Sequence, residues 1–557
     1  DASIDDLLSE PASPNGGKTE LPAPERFDEP ITDHGFRNEP VLDFAHAENR
    51  ERFEAALSKV EGEFGAEYPV VIANQEYESS ELIESINPCI TDQTVGKVHR
   101  ATIEHADEAI KAAWAVKDQW AATSATDRAD YIMRVGEGLR RRRDELAAWM
   151  VFEAGKTWRE ADADVCEAID FCDFYAREMK RLADPKQLGN IPGEHNIMWY
   201  QPRGVVGVIA PWNFPLAILT GMTVAAAVTG NTVIMKPAEQ TPVIAAKLME
   251  VVREAGVPAG VINYVPGYGH DVGNHLVESP YIHQIAFTGS MDVGLQILAK
   301  CGQTDPSRQQ KVKEVVCEMG GKNAIIVDAD ADLDEAVQGV VQSAFGFQGQ
   351  KCSACSRAVV HESCYEEFRE RLVEATRSLI IGPAHDPANR ISAVIDEDAK
   401  AKINSYIQLG AEEGEVLISR EVPEGGHFVG PTVVEGITAQ HRLAHEEIFG
   451  PVLALMKVSS FEEGLQVANG TRFALTGGVY SRSPENIERA YRDFNVGNLY
   501  INRGCTGALV YRQPFGGFKM SGTGTKAGGP DYLLRFMEPR AVSENTMRRG
   551  FAPSEHL

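Results

Sequence analysis

Apolar residues recur every three or four positions over 48–60, 103–122, 125–152 and 161–182, and this spacing predicts four amphipathic helices. Near residue 197 the texture changes. Short apolar, β-branched runs at 205–210, 232–236, 261–265 and 283–287 alternate with helical patterns at 216–229, 242–255 and 293–301. A second region of this kind begins near Val315, with strands expected at 324–327, 358–361, 432–434, 452–458 and 478–480 and helices at 333–345 and 363–380. Strands that read as continuous apolar runs between helices predict an α/β fold of parallel sheets covered on both faces. Such sheets bind ligands at the carboxyl ends of their strands. Residues 1–35 are rich in Pro, Asp, Glu, Ser and Gly and read as an acidic flexible tail or linker. Residues 532–544 look extended, as an arm that pairs with another strand or another subunit.

Composition narrows the function class. With 557 residues, 43% of them hydrophobic, the chain is long enough for two or three domains. Its apolar runs, such as 205–210 and 222–228, are too short or too interrupted to span a bilayer. The first residues are acidic and polar, unlike a signal or transit peptide, and the missing initiator Met suggests processing or a fragment. Lys and Arg total 54 against 81 Asp and Glu, a net charge of −27 that argues against nucleic acid as a partner. The same surplus fits a salt-adapted host. Nine cysteines, an odd number at irregular spacing, argue against a disulfide framework and for a reducing cytoplasm.

The strongest chemical signal is Phe345-Gly-Phe-Gln-Gly-Gln-Lys-Cys-Ser-Ala-Cys-Ser-Arg357, which places Cys352 between a Gly-rich segment and a strand. A thiol at such a junction is an exposed nucleophile. Cys355 makes a Cys-x-x-Cys, but no second pair and no His at ligand spacing supports a metal. Other residues are ambiguous by themselves. Asn213, beside Pro215, reads equally as a helix cap or as an oxyanion donor. Lys236 and Glu239, just past a strand, are solvated charges or partners for ribose hydroxyls, the carboxylate then favouring NAD over NADP. The turn Phe287-Thr-Gly-Ser290 through Gly294 offers N–H groups to a pyrophosphate, as does the segment holding Gly269 and Gly273, but neither has the dinucleotide-binding spacing. Glu318 is a strand-end carboxylate that could activate water.

Taken in order, Pro211-Trp-Asn-Phe-Pro215, Lys236-Pro-Ala-Glu239, Phe287-Thr-Gly-Ser290, Glu318-Met-Gly-Gly-Lys322, Gly349-Gln-Lys-Cys352 and Glu446-Glu-Ile-Phe-Gly-Pro451 resemble the aldehyde dehydrogenase superfamily over about residues 40–545. Glu318 and Cys352, 34 residues apart, fit its spacing. The resemblance implies a Rossmann-type NAD-binding domain (36–184 and 206–317), a catalytic domain (318–520) and a β-arm for oligomerisation (185–205 and 521–557). It makes Cys352 the nucleophile, Asn213 and the Cys352 N–H the oxyanion donors, and Glu318 the base. NAD would be held by Ile209, Pro211, Trp212, Lys236, Glu239, Gly269, Gly273, Phe287, Thr288, Gly289, Ser290, Gly294, Glu447 and Phe449, with Glu447 on the nicotinamide ribose.

The segment Thr506 to Arg535 is similar to the 1-pyrroline-5-carboxylate dehydrogenases, which oxidise L-glutamate γ-semialdehyde to L-glutamate in proline catabolism. In that subfamily Ser353 and the Gly507–Ala508 backbone would bind the α-carboxylate, and Phe214 and Phe515 would wall the aliphatic part. From residues alone the two phenylalanines read more simply as core. Tyr511-Arg512 departs from the subfamily's smaller residues and bears on substrate preference. The resemblance implies a homodimer or larger homo-oligomer, possession of no metal or membrane partner, and in some bacteria fusion to a proline dehydrogenase in proline utilization A. Three readings remain beside it: a dehydrogenase of another acidic semialdehyde, a non-catalytic scaffold on this fold, and a thiol esterase.

Overall fold

The computed structural model describes residues 35–303, 305–309 and 311–547. The expected 1–35 tail lies almost wholly outside them, as does the end of the 521–557 arm. Residues from Asn38 onward form one compact unit.

Two seven-stranded sheets organise it. In the first, five parallel strands run in the order Glu314–Glu318, Gln284–Thr288, Val205–Ile209, Thr232–Lys236 and Ile262–Tyr264, and an antiparallel hairpin, Val70–Ile72 with Gln75–Tyr77, closes the edge. The central strands Val205–Ile209 and Thr232–Lys236 are buried at every position, which is why they are apolar throughout rather than alternating. Register sets their carboxyl ends in a row: Ile209 pairs with Lys236, Phe287 with Ile209, and Thr288 with Glu318. In the second sheet, six parallel strands carry one antiparallel edge strand, Glu415–Ser419. Its centre is Asn323–Val327 beside Cys355–His361. A third sheet is an antiparallel ribbon in which Glu194–Pro202 pairs along its whole length with Met537–Asn545.

Three expectations change. The 125–152 helix is two, Ala125–Arg141 and Arg143–Ala154, broken at Arg142 (φ −101°, ψ 18°). Periodicity continues across the break, but the second helix is buried on all sides, and the chain must turn to send it inward. Arg142 then reaches Glu145 and Glu250, both at 2.7 Å, while Arg143 clasps Asp162. The stretch between the helices expected at 48–60 and 103–122, for which the pattern predicts no strand, contains the short strands Glu67–Tyr68, Leu82–Ile86 and Thr94–His99. The extended 532–544 segment opens with a 3-10 turn, Tyr532–Phe536, before its strand.

Helix Pro242–Glu254 has no side-chain cap of its own. Glu153, 1% exposed and 90 residues away, supplies one: its carboxylate accepts from Val243 N (2.7 Å), Ile244 N (2.9 Å) and Ser85 Oγ (2.9 Å). Glu153→Ala therefore orphans two buried amides, and should lower the unfolding free energy by about 2 kcal/mol or more, read as a lower denaturant midpoint. Glu153→Gln, which keeps one acceptor oxygen, should fall between.

Candidate active site

Helix Leu333–Phe345 ends in a tight turn in which Phe347 (φ 48°), Gln348 (φ 55°) and Gly349 (φ 67°) are successively left-handed. For the two non-glycine residues this conformation costs about 1–2 kcal/mol each. Burial holds it: Phe347 and Gln348 have no exposed surface, and Gln348 Nε2 donates to Ala393 O at 2.7 Å. Gly349 has no alternative, since a Cβ there would stand 2.4 Å from the Gly450 carbonyl oxygen. The turn delivers Cys352 to the surface of an internal cavity of about 190 Å³. Asn323 Nδ2 then fastens the Cys352 carbonyl at 2.8 Å, and the following strand starts at Cys355, three residues before its expected start, because Cys355 pairs with Asn323. Cys355 is buried in the core between this sheet and its helices.

Burial first, then the nearby carboxyls of Glu447 and Glu318, push the Cys352 thiol up to about 12. Glu318 ends its strand at the same cavity. One oxygen accepts from Thr525 Oγ1 at 2.5 Å, while the other is buried without a hydrogen-bond partner. Burial raises its carboxyl to about 8. Asn213 is 4% exposed and does not cap the helix that follows it. Its Nδ2 donates to Gln350 O, two residues before the cysteine, at 3.1 Å. The cap goes to Asp164, which accepts from Ala217 N at 2.7 Å. Asp164 also pairs with the buried Lys156 at 3.1 Å, and Lys156 in turn donates to the Asn213 carbonyl at 2.8 Å.

All five candidate substrate residues, Phe214, Ser353, Gly507, Ala508 and Phe515, line this cavity with Cys352 and Glu318. Phe214 and Phe515 are thus cavity walls as well as packing residues. Tyr511 and Arg512 do not line it: Tyr511 packs on Phe174 with ring centroids 5.2 Å apart, and Arg512 is exposed. Other lining residues were missed. Lys351, beside the nucleophile, pairs with Glu160 at 2.7 Å, and Glu167, raised to about 8 by burial, lies two turns further along the same helix. Glu160, Ala163, Glu167, Phe171 and Tyr175 recur at three- and four-residue spacing on helix Trp158–Leu182, a pattern that shows a buried face but not that it faces a cavity.

The candidate cofactor residues divide. Thr288 lines the cavity. Lys236, 3% exposed, donates to Pro237 O at 2.9 Å and stands 3.5 Å from Glu239, so a donor and an acceptor lie side by side past one strand end. Gly273 is beside the Lys236 stem, and Gly269 opens onto empty space. Glu447 accepts from Gly321 N at 2.8 Å, and Gly320 has no room for a side chain against it. Trp212 and left-handed Phe449 (φ 62°) meet edge to face, 5.4 Å between centroids. Pro211 is half-buried in the turn before Trp212. Ile209 and Phe287 belong to the core beneath, which leaves only their backbone to face a ligand. In the turn Phe287 through Gly294 the two glycine N–H groups are engaged, which leaves those of the first helical turn for a ligand. Gly289 N already donates to Glu318 O, and Gly294 N to Ser290 O, both at 3.0 Å. These glycines are required for packing: a Cβ would come 2.5 Å from the Phe287 ring and from Met319 Sδ respectively. Ser290 caps helix Met291–Cys301 through Val293 N.

Residues 75–542 match the model of the aldehyde dehydrogenase family. The chain belongs to that family. It is 50% identical over 510 residues to a 1-pyrroline-5-carboxylate dehydrogenase of Geobacillus kaustophilus, covering 91% of this chain and 99% of that protein. A Bacillus subtilis protein named 1-pyrroline-5-carboxylate dehydrogenase 2 is 48% identical over the same length. Among solved structures, a Thermus 1-pyrroline-5-carboxylate dehydrogenase with bound NAD matches with a TM-score of 0.90 and 46% identity, covering 92% of this chain and 99% of that one. Proline utilization A from Bdellovibrio bacteriovorus matches with a TM-score of 0.92 and 49% identity over 95% of this chain, which spans 55% of that longer protein. Among the described residues no helix is long and apolar enough to cross a membrane, and no group of three or more His, Cys, Asp or Glu is placed to hold a metal ion.

With the thiol raised so far, alkylation of Cys352 in the free protein by iodoacetamide should quicken about tenfold per pH unit between 7 and 9, without a plateau near 8.5. Mass-spectrometric mapping checks this, since the other eight cysteines are buried and should label far more slowly.

Proposed function

We propose that this protein oxidises L-glutamate γ-semialdehyde, the open form of 1-pyrroline-5-carboxylate, to L-glutamate with NAD as hydride acceptor. One observation carries the reading: a nucleophile (Cys352), a base (Glu318), a hydroxyl (Ser353) and a turn of exposed backbone (Gly507, φ +74°) all face one apolar-walled cavity of about 190 Å³. That volume suits a five-carbon substrate rather than a polymer. The relatives at about half identity over nearly the whole length support the same activity.

The residues present fit NAD. The Lys236–Glu239 pair matches a ribose diol, the open ledge at Gly269 leaves room beside it, and Glu447 is held by Gly321 N near Cys352. When bound, NAD supplies the acceptor for the hydride that leaves the substrate carbon. The rest is done by the chain. Cys352 releases its proton to solvent, and the thiolate attacks the aldehyde carbon. Asn213 has a second amide hydrogen beyond the one given to Gln350, and with the Cys352 N–H it holds the resulting oxyanion, an interaction worth about 3–4 kcal/mol per donor. After hydride loss a thioester remains on Cys352. The unpartnered Glu318 oxygen takes a proton from water, which attacks the thioester carbon and releases the carboxylic acid and the thiol. Ser353 Oγ and the Gly507–Ala508 backbone hold the α-carboxylate. Phe214 and Phe515 exclude water around the methylenes.

On this reading the first sheet and its helices (36–184 and 206–317) form the NAD-binding domain, and 318–520 the catalytic domain. The ribbon in 185–205 and 521–557 forms the arm of a homodimer or larger homo-oligomer. Nine unpaired cysteines suit a reducing compartment such as the cytoplasm. A proline dehydrogenase, separate or fused, would supply the substrate.

NADH formation followed at 340 nm with 1-pyrroline-5-carboxylate is the test. Cys352→Ala should reduce it to background, and Asn213→Ala should lower kcat about 10²–10³-fold. A higher kcat/KM for succinate semialdehyde would overturn the substrate assignment. Because a base works only when ionised, thioester hydrolysis should rise with pH and level off above about 8, the value to which burial lifts Glu318. Glu318→Gln should abolish that rise.

A further inference from the structure

A second cavity, of about 710 Å³, adjoins the catalytic one and shares Glu160, Ala163, Lys351 and Gly507 as walls. It is wider and more polar than the first, and two arginines line it, Arg159 and Arg503, both exposed. Two of its three acids are engaged, and the third, Asp43, is exposed, accepts from Ala45 N at 2.9 Å and stands 3.6 Å from His46 Nε2. Both oxygens of Asp162 accept from Arg143, at 2.7 and 2.8 Å, and Glu160 is paired with Lys351. The arginines are not. Among the described residues no carboxylate lies within ion-pair distance of either, in a chain with 27 more acidic than basic residues. Arg503 rests on the Tyr500 ring, 4.7 Å away, and one of its nitrogens donates to Thr506 O at 3.2 Å and to Gly507 O at 3.5 Å, leaving most of its five donors unspent. Among the described residues Arg159 has no hydrogen-bond or ion-pair partner, and it stands in the first turn of helix Trp158–Leu182, where the helix dipole disfavours a cation. A residue placed against both local electrostatic preference and the supply of partners is explained by a ligand that comes and goes.

We propose that this antechamber is an entry subsite for the carboxylate of the incoming substrate, with Arg159 and Arg503 receiving it before it passes Lys351 to Ser353 and Gly507. The proposal rests on the semialdehyde reading above, since only an aldehyde that carries a carboxylate gains from it. The guanidinium is the group suited to a planar carboxylate, and the engaged acids beside it tolerate the substrate's ammonium. Arg159 and Arg503 act here on capture, not on the chemical step, so their effect belongs in kcat/KM rather than kcat.

The experiment is a charge series at Arg159, whose exposed site at a helix start tolerates substitution. Steady-state rates are measured with 1-pyrroline-5-carboxylate, succinate semialdehyde and uncharged butanal. Arg159→Glu should lower kcat/KM about tenfold for both carboxylate-bearing substrates with kcat unchanged, Arg159→Gln about threefold, and Arg159→Lys within about twofold of the parent. Butanal should be insensitive in every variant. An equal fall for butanal, or no fall for the carboxylate-bearing substrates, overturns the proposal. If the parent turns over succinate semialdehyde but not 1-pyrroline-5-carboxylate, the function proposed above fails, and the subsite is still judged by the succinate semialdehyde series. Arg503→Gln should reproduce the Arg159→Gln pattern, with butanal reporting any disturbance of the Gly507 loop.

Discussion

The left-handed run Phe347–Gln348–Gly349 is the constraint on which the site depends. A helix can be followed by a parallel strand only after a change of direction, and here the change is compressed into three residues whose last is forced to be glycine by the Gly450 carbonyl. The conformation is unfavourable in isolation and persists because two fully buried side chains and the Gln348 bond to Ala393 over-determine it. Everything downstream inherits its precision. The Gln350 carbonyl meets Asn213, the Cys352 carbonyl meets Asn323, and the sulfur is left facing the cavity.

The site is also a problem of crowded negative charge. Burial raises Cys352, Glu318 and Glu447 alike, and the carboxyls of Glu447 and Glu318 push the Cys352 thiol up further. The resting state is therefore one in which the thiol holds its proton, and Glu318 is poised near neutrality rather than fully charged. Such a site keeps the nucleophile quiet until another group shifts the balance. Lys526 draws Glu318 down, and Lys402 and Lys322 draw Glu447 down, each against a larger effect of burial, whereas Lys156 and Lys351 are committed to Asp164 and Glu160. They settle the carboxylates of helix Trp158–Leu182 without neutralising the catalytic ones.

Two sheets meet at this point in opposite senses. Glu318, Thr288 and Lys236 lie at carboxyl ends of the first, whereas Cys352 precedes the amino end of a central strand of the second. Register does the alignment. A slip of one residue in any parallel strand of the first sheet would turn its terminal side chain to the opposite face. The buried, β-branched strands, apolar on both sides, fix that register through packing against helices rather than through turns.

The candidate site residues were legible along the chain because strand ends and the turns after them are short, local and marked by Gly, Pro and polar residues. Cys352, Glu318, Lys236 and Glu239 each follow from such punctuation, and the order of motifs joined them. The long apolar strands and amphipathic helices were legible for the same reason: periodicity is local. What depended on distant packing was not. Arg142 breaks a helix whose pattern continues, Glu153 caps a helix 90 residues away, and Thr525 binds Glu318 from 207 residues downstream. Of the two readings of Asn213, the fold removes the cap, which it gives to Asp164, and turns the amide to the Gln350 carbonyl instead. The sequence by itself determined which residues are candidates for the chemistry. The tertiary structure decided how deeply each is buried and which charge stands beside it, because desolvation and Coulomb interaction depend on distance in space and not along the chain.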